Sequence, residues 1–269
     1  MSEDASGTYS FDGVLNFRDV GKTINQYTGK RLVAEGRLFR SARLDDASIS
    51  DREALCHSVG IKTVMDLRTK SEHVKQAKKR EGDLKIPALL KSNDALAQPM
   101  EIPGLGKVLI LMLFGYRMEA ISILGREVMN PRGLIGLGYD TIDYCGAELA
   151  IALGEFASSP RYPILVHCTQ GKDRTGLIIC LLLLLLDVPV DAVTYDYTLS
   201  EAGLLSEREE RMVEIREIGL TEEFASAPRE WIVKMHEYLG EKYGGTREYL
   251  EAIGVDEGMQ ARITEALLG

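Results

Sequence analysis

A short stretch in the second half of this chain constrains its fold more than any other feature. Residues 164–166 are apolar, residues 167–176 are mostly polar with two glycines, and residues 177–186 are again apolar. This order predicts a buried strand, a tight loop and a buried helix. The first N–H groups of a helix have no partner within it, so they point at whatever lies over the loop. The stretch therefore predicts an anion-binding site.

The chemistry of that loop, called here the cysteine loop (residues 167–176), is set by Cys168 and Arg174. A thiol near a helix N-terminus ionises more readily than a free one, which makes Cys168 a candidate nucleophile. Five residues separate it from Arg174, whose planar guanidinium can hold two oxygens of a phosphoryl group. Thr175 can donate its hydroxyl to the sulfur as the thiolate leaves. The pattern predicts hydrolysis of a phosphomonoester through a phosphocysteine intermediate.

The residues between the cysteine and the arginine are predicted to bind the phosphoryl group. The N–H groups of Thr169, Gln170, Gly171 and Lys172 can contact its oxygens. The glycine permits a backbone conformation that a Cβ would resist. His167 is expected to order the loop by hydrogen bonding and to help keep the thiol ionised.

Two other interpretations of the loop are weaker. A free cysteine is most often a small core residue, but the arginine, threonine and glycines at these offsets argue against that fate here. Gly171 and Lys172 resemble the end of a nucleotide-binding loop. A nucleotide-binding loop requires Ser or Thr directly after the lysine. It also requires a second glycine, five residues before the glycine that precedes the lysine. Asp173 and Val166 occupy those positions.

Composition limits the compartment and the partners. A net charge of −9 argues against a general nucleic-acid binder, so attraction for an anionic substrate must be local. The four cysteines show no paired spacing and no signal peptide is recognised, which predicts a reduced, cytoplasmic compartment. The run at residues 177–186 is too short for a transmembrane segment. The basic cluster at residues 75–80 could touch an anionic membrane surface, although a solvated helix face is simpler. No cofactor and no metal are predicted.

Short apolar segments alternate with amphipathic ones along the chain. Strands are predicted at residues 37–41, 60–67, 84–90 and 164–166, and helices at residues 50–59, 69–79, 140–152, 177–186, 191–200, 206–218 and 228–243. The alternation predicts an α/β fold with a mainly parallel central sheet flanked by helices. We expect one domain over residues 1–269, with a mobile tail (1–7) and an active-site strand, loop and helix (161–187). Residues 92–138 are expected to form an insertion or lid, or alternatively a pair of core helices.

Several motifs carry a resemblance to a known family. In chain order they are Asn16-Phe17-Arg18-Asp19, residues 36–41, Asp66-Leu67-Arg68, residues 167–176, Asp196-Tyr197, Leu199-Ser200, Gly244-Gly245, Tyr249-Leu250 and Gly254-Val255. With them the chain resembles the cysteine-dependent tyrosine and dual-specificity phosphatase superfamily, and within it the PtpB-like branch of a mycobacterial secreted phosphatase and its fungal and bacterial relatives. The resemblance spans nearly the whole length and implies a tyrosine-phosphatase-like fold. We expect the first and third motifs to pair with each other behind the loop.

The resemblance also implies an activity and residue roles. Members of the branch look like phosphotyrosine phosphatases that often also hydrolyse phosphoserine, phosphothreonine and phosphoinositides. It implies that Cys168 is the nucleophile, that Arg174 clamps the phosphate, and that Lys172 and Asp173 face the substrate. A lysine there would suit a substrate with several phosphates, such as an inositol phosphate headgroup. The alternative is that Lys172 lies in solvent or pairs with a surface acid.

The general acid that protonates the leaving oxygen stays open. Trp231 is the single tryptophan, and it is not followed by the Pro-Asp of the Trp-Pro-Asp loop that many tyrosine phosphatases use. Asp173 is the first choice, because it is tethered beside Arg174. The other candidates are Asp94, which is displaced by several residues from the position the branch uses, Asp66 at a predicted strand end, or a carboxylate elsewhere.

The sequence thus leaves three functions in competition. The first is a cysteine-dependent phosphatase of phosphotyrosine proteins, with phosphoserine and phosphothreonine as further substrates. The second is an inositol phosphate or phosphoinositide phosphatase. The third is a catalytically silent module that binds a phosphorylated protein or lipid. Loss of the loop cysteine, arginine or threonine would favour the third, and all three residues are present.

Overall fold

The computed structural model describes residues 2–3, 9–69, 72–73 and 123–268. Its strands are β1 (Ser2–Glu3), β2 (Tyr9–Ser10), β3 (Arg18–Asp19), β4 (Leu38–Ser41), β5 (Thr63–Asp66) and β6 (Ile164–His167). β1 and β2 form a small antiparallel ribbon, and the other four form the central sheet in the order β3-β4-β6-β5. The chain therefore builds its core on a narrow sheet with β6 in an inner position.

The register of this sheet brings three strand ends together. β4 and β5 both run parallel to β6, and β3 is antiparallel to β4 at the edge. Ser41 and Asp66 both stand beside His167. Because ligands bind beyond the carboxyl ends of parallel strands, the segments that follow these residues form the expected place for a site.

Helices surround the sheet in the described part of the chain. They are α1 (Val20–Thr28), α2 (Ile49–Glu53), α3 (Asn130–Tyr144), α4 (Gly146–Gly154), α5 (Asp173–Leu185), α6 (Val190–Gly203), α7 (Arg208–Glu217), α8 (Glu230–Tyr243), α9 (Thr246–Ala252) and α10 (Glu257–Leu268). π-helical turns lie at Ala54–Ser58 and Gly125–Met129, and 3₁₀ turns lie at Glu155–Ala157, Ser159–Arg161, Leu205–Glu207 and Glu222–Ala225.

α5 lies at the centre of the core because it has no polar face. Every residue from Thr175 to Leu185 is buried, as is typical of a helix that is apolar all round. In β6 the side chains alternate: Ile164 and Val166 join the core around α5, and Leu165 packs into a smaller core on the other face of the sheet. The strand and the helix on either side of the cysteine loop are thus both anchored in the core.

The structure confirms the α/β class and the mainly parallel sheet flanked by helices. The predicted helix at 140–152 is instead the end of α3 and the start of α4, because Cys145 (φ −111°) interrupts the helical backbone.

Other expectations fall partly outside the described residues. The predicted strand at 84–90 lies there, as does the predicted insertion up to residue 122; from residue 123 that segment is a π-helical turn and the start of α3. In the tail expected to be mobile, Ser2–Glu3 pairs with Tyr9–Ser10, and the rest lies outside the described residues.

Candidate active site

The cysteine of the loop lies at the edge where the parallel strands end. Cys168 directly follows β6, and only 3% of its surface is exposed. α5 begins at Asp173, so four residues separate the thiol from the helix. The N–H groups of a first helical turn attract anions. The sulfur and an anion site are therefore adjacent.

The first carbonyls of the cysteine loop are held by their neighbours. The Nδ1 atom of His167 lies 3.1 Å from the carbonyl oxygen of Cys168. The backbone N–H of Arg43 donates a hydrogen bond of 3.1 Å to the carbonyl of Thr169. Both carbonyl oxygens are satisfied by the protein, so neither is left to face an incoming anion.

The next three carbonyls are held from behind by two side chains. The Nδ2 atom of Asn16 donates to the carbonyls of Gln170 and Gly171 at 3.0 and 3.2 Å. The Nη2 atom of Arg40 donates to the carbonyls of Gly171 and Lys172 at 2.7 and 3.4 Å. In a trans peptide the C=O and the following N–H point in opposite directions. The N–H groups are thereby directed away from Asn16 and Arg40, toward the open side of the loop.

Those N–H groups are free to bind a ligand. Within the described part of the chain, none of the backbone N–H groups of residues 169–173 donates a hydrogen bond. Gly171 has a φ of 64°, and a Cβ there would lie 1.8 Å from the carbonyl oxygen of Ser41. Only glycine fits this position, as the sequence predicts. The loop forms a row of donors suited to the oxygens of a tetrahedral anion.

The guanidinium of Arg174 returns to the loop and is held by a carboxylate. Its Nη1 and Nη2 atoms each donate to one oxygen of Glu72 at 2.7 Å, and Nη1 also donates to the carbonyl of Leu67 at 3.0 Å. Burial disfavours the charged form of Arg174, but the hydrogen bonds and charge of Glu72 outweigh it and raise the arginine's pKa above its ordinary value. The pair fixes the plane of the guanidinium.

Glu72 is a candidate site residue that the sequence did not reveal. It also accepts hydrogen bonds from the hydroxyls of Thr169 and Thr69 and from the N–H of Thr69. Burial favours its protonated form, yet the hydrogen bonds and charge of Arg174 lower its pKa well below the ordinary value. The sequence signal was only a charged segment predicted to be helical, with no indication of which carboxylate would turn inward.

A cavity of about 420 Å³ opens beside the loop. Its charged lining includes Arg174, Asp173, Arg43 and Arg211. Its apolar lining includes Leu134, Leu137, Ile215, Phe224 and Trp231. Burial lowers the pKa of Arg211 from its ordinary value. No motif or spacing in the sequence indicated that Arg43 or Arg211 would line the cavity. The cavity can hold an anionic group and an apolar body together.

Comparison with known proteins identifies the family. Residues 9–269 match the sequence model of the tyrosine phosphatase family. The chain belongs to that family. It is an enzyme of the tyrosine phosphatase type, as the resemblance implied.

Individual relatives agree with this membership. The phosphatase is 26% identical over 287 residues to the triple specificity protein phosphatase PtpB of Mycobacterium tuberculosis, with 96% of this chain and 98% of the relative covered. It is 28% identical over 236 residues to a tyrosine-protein phosphatase of Nostoc commune, with 81% of this chain and 69% of the relative covered. The similarity to PtpB extends over nearly the whole of both chains.

The ammonium group of Lys172 is committed to the protein. Only 1% of the residue is exposed, and its Nζ donates to the carbonyls of Phe224 and Ser226 at 2.9 and 2.5 Å. A buried ammonium requires such acceptors. Its position differs from the expectation that Lys172 faces the substrate and from the alternative of a solvated side chain. The other alternative, a pair with a surface acid, agrees with the 3.6 Å between Nζ and Oδ1 of partly exposed Asp173.

The structure separates the candidates for the general acid. Asp173 is 41% exposed, lines the cavity and accepts a hydrogen bond of 3.4 Å from the hydroxyl of Tyr197. Asp66 instead accepts several hydrogen bonds from Arg68. Burial would raise the pKa of Asp66, but Arg68 and His167 lower it, so the carboxylate stays ionised. Asp94 lies outside the described residues.

Two further loop residues differ in their partners. Burial lowers the pKa of His167 in spite of nearby Asp66, so the ring is neutral at pH 7 and can order the loop through Cys168. The buried hydroxyl of Thr175 has no hydrogen-bond partner among the described residues. The predicted contact between this hydroxyl and the sulfur is thus not formed in this structure.

The described residues hold neither a metal-ligand cluster nor a membrane-spanning helix. They contain no group of three or more His, Cys, Asp or Glu side chains that could hold a metal ion. In that same part of the chain, no helix is long and apolar enough to cross a bilayer.

We expect Glu72→Gln to lower kcat/KM for an aryl phosphate by about 10- to 100-fold, because an amide leaves Arg174 with one acceptor where two fixed its plane. Steady-state kinetics and inhibition by tungstate measure the effect. The matched control is Glu222→Gln, which breaks an exposed pair with Arg216 and should leave both values within about twofold. A gain in kcat/KM for Glu72→Gln would mean that the carboxylate competes with substrate.

Proposed function

We propose that this phosphatase hydrolyses phosphotyrosine in proteins, with Cys168 as the nucleophile that becomes phosphorylated. The observation that carries the proposal is the direction of the peptide groups around the buried thiol. The carbonyls of residues 168–172 accept hydrogen bonds from the protein, and the N–H groups of residues 169–173 are free within the described part of the chain. Such a row of donors favours a phosphoryl group held over the sulfur.

The reaction that fits this geometry has two steps. The thiolate of Cys168 forms a bond to phosphorus while the bond from phosphorus to the tyrosyl oxygen breaks, and Asp173 gives that oxygen its proton. Water then attacks phosphorus and passes its proton to Asp173, the S–P bond breaks, and inorganic phosphate leaves with the thiolate restored. The loop N–H groups and Arg174 hold the three oxygens that do not react.

The cavity supports an aromatic leaving group. Its apolar lining, which includes Leu134, Phe224 and Trp231, can cover a tyrosyl ring while the phosphate lies on the loop. The ammonium of Lys172 is bound to two backbone carbonyls and lies 3.6 Å from Asp173 Oδ1, so it is not available to contact a second phosphate. These two observations favour phosphotyrosine, with phosphoserine and phosphothreonine as smaller substrates. PtpB, which is similar over nearly its whole length, is named a triple specificity protein phosphatase.

A second candidate is an inositol phosphate or phosphoinositide. Arg43 and Arg211 line the same cavity as Arg174, and two extra guanidinium groups can meet a second phosphate. Both already have acidic neighbours, Glu207 for Arg43 and Glu214 for Arg211. The extra positive charge is therefore partly neutralised, which makes this the weaker candidate.

A substrate panel tests the choice. Phosphate release would be measured from phosphotyrosine and phosphothreonine peptides, inositol phosphates and phosphoinositides in vesicles. The expected result is the highest kcat/KM for phosphotyrosine. A higher kcat/KM for an inositol-based substrate would select the second candidate. Peripheral contact with a membrane surface would then be expected as well. Binding without any turnover would select a silent phospho-ligand module.

The proposed enzyme acts as one domain over residues 1–269 and needs no cofactor, because the nucleophile and the acid both come from the chain. The thiol must stay reduced for the first step. The cytoplasm supplies such conditions, so we place the activity there.

We expect Asp173→Asn to slow hydrolysis of an alkyl phosphate by about 100-fold, since an amide cannot protonate the poor leaving group. For nitrophenyl phosphate, whose leaving group needs little protonation, the loss should be much smaller. Rates for both substrates, measured against pH, give the comparison. Asp191→Asn is the matched control, because Asp191 also lies in the first turn of a helix, α6. Wild-type rates on both substrates would remove Asp173 from the acid's role.

A further inference from the structure

A buried group of charged and amide side chains lies behind the cysteine loop. Asp196, in α6, accepts hydrogen bonds from Arg18 Nε at 2.8 Å and from Arg40 Nη1 at 2.5 Å. Burial would raise the pKa of Asp196, but the two guanidinium groups lower it, so the carboxylate is ionised. Two cations around one anion leave the group, called here the rear network (Asn16, Arg18, Arg40 and Asp196), with a net positive charge.

The rear network differs from the pairing expected from sequence. Arg18 binds Asp196 and does not bind the motif at residues 66–68. Arg68 of that motif binds its own Asp66 and also Asp45. The two motifs therefore form separate ion pairs. The first holds the carbonyls of Gln170 and Gly171 through Asn16, whereas the second donates to the carbonyl of His167, at the start of the loop, through the N–H of Leu67.

The orientation of the Asn16 amide is fixed by its neighbour. Arg18 Nη1 donates to Asn16 Oδ1 at 2.5 Å, which leaves Nδ2 to point at the loop. There it donates to the carbonyls of Gln170 and Gly171. Asn16 itself has a φ of 56°, a left-handed conformation that asparagine tolerates better than most residues. The backbone and the amide both match the task of holding two adjacent carbonyls.

Arg40 completes the hold on the loop. One of its terminal nitrogens binds Asp196, and the other binds the carbonyl of Gly171 at 2.7 Å. A buried carbonyl without a donor costs about 1–3 kcal/mol, so a loop without these partners would lower its free energy by turning its peptide groups. A turned peptide presents its oxygen, and not its N–H, to the anion.

We propose that Asn16 and Arg40 are positioning residues that set the oxyanion affinity of the cysteine loop by fixing the direction of its peptide groups. The proposal depends on the proposed function in one respect, namely that the cysteine loop binds the phosphoryl group. Neither side chain lines the cavity, so each acts through the backbone of residues 170–172. The rear network thereby connects the N-terminal motif and α6 to the site.

Two substitutions at Asn16 test the role. Asn16→Gly removes the amide, and its φ suits glycine; Asn16→Asp keeps the size but replaces the donor by an acceptor that repels the carbonyls. Both should raise the tungstate inhibition constant by about 10- to 100-fold, because small misorientation of binding groups has effects of that size. Thermal unfolding would be recorded alongside, with kcat and KM measured separately.

The matched control is Asn25→Asp. Asn25 is also buried and donates to a backbone carbonyl, that of Val33, but it lies away from the loop. This variant should lower Tm and leave tungstate inhibition within about twofold. If the Asn16 variants have only a structural defect, they will show the pattern of the control, which is a lower Tm with unchanged tungstate inhibition of the folded enzyme. That result would overturn the proposal.

The remaining outcomes are also decisive. Weaker inhibition by tungstate for Asn16→Asp alone would point to simple charge repulsion and overturn the positioning role. If Asn16→Asp does not fold, Asn16→Gly decides by itself. A wild-type enzyme that neither binds tungstate nor releases phosphate would refute the proposed function, and this result is read before any variant is compared.

Discussion

Replacing Cys168 with serine is expected to lower kcat by about 10⁴-fold or more, which is the scale of losing the nucleophile in other covalent hydrolases. A serine hydroxyl is far less acidic than a thiol, and the neighbouring imidazole of His167 cannot serve as its base through Nδ1, which is directed to the carbonyl of Cys168. The N–H groups of residues 169–173 and Arg174 are unchanged. Binding of a phosphotyrosine peptide should therefore persist, and titration calorimetry measures it.

The control for this prediction is a second cysteine. Cys56 lies in the π-helical turn Ala54–Ser58 and is only partly buried. Cys56→Ser should retain wild-type kcat, which excludes a general effect of removing a thiol. If the Cys168→Ser enzyme keeps substantial turnover, the phosphocysteine route is wrong. If it loses binding together with turnover, the loop needs the sulfur to keep its shape.

The parts of the fold that could be predicted are those that neighbouring residues determine. The strand Ile164–His167 and the helix Asp173–Leu185 follow from apolar runs on either side of a polar loop. Gly171 could be assigned a special backbone because a tight loop needs one, and its φ of 64° agrees. The order of apolar and polar residues and the steric requirements of a tight loop were enough to predict these parts of the fold.

The partners of the loop could not be predicted, because they come from distant parts of the chain. Glu72 lies 102 residues from Arg174, and Asn16 lies 154 residues from Gln170. No spacing rule connects such pairs; the fold brings them together at the carboxyl edge of the sheet. The sequence could indicate that Asn16 belonged to a motif, but not which carbonyls it would bind.

The burial of Lys172 could not be predicted from the sequence either. A lysine in a loop is usually solvated, and a lysine in a phosphate site suggests contact with substrate. The structure buries it because Phe224 and Ser226, 52 and 54 residues away, supply carbonyl acceptors. Charge burial depends on such acceptors, and the 3₁₀ turn that carries the first of them gave no signal of its position.

Arg174→Lys is the second variant with a large expected effect, a loss of about 10³-fold in kcat/KM. Lysine keeps the charge but has no planar fork, so it cannot hold two phosphoryl oxygens and Glu72 in one plane. Removal of one donor to a developing oxyanion costs about 10²–10³-fold elsewhere, and here more than one is lost. The kinetics of phosphate release and tungstate inhibition both report it. Arg216→Lys, in an exposed pair with Glu222, is the control.

A double variant decides how the Arg174 pair acts. If Glu72 serves only to orient the guanidinium, then Glu72→Gln should change kcat/KM little once Arg174→Lys is present. The coupling energy of the cycle would then nearly equal the whole effect of Glu72→Gln alone. Full additivity of the two losses would show instead that Glu72 contributes independently, through Thr169 or Thr69. In that case the carboxylate acts on the loop itself, and the plane of Arg174 does not depend on it.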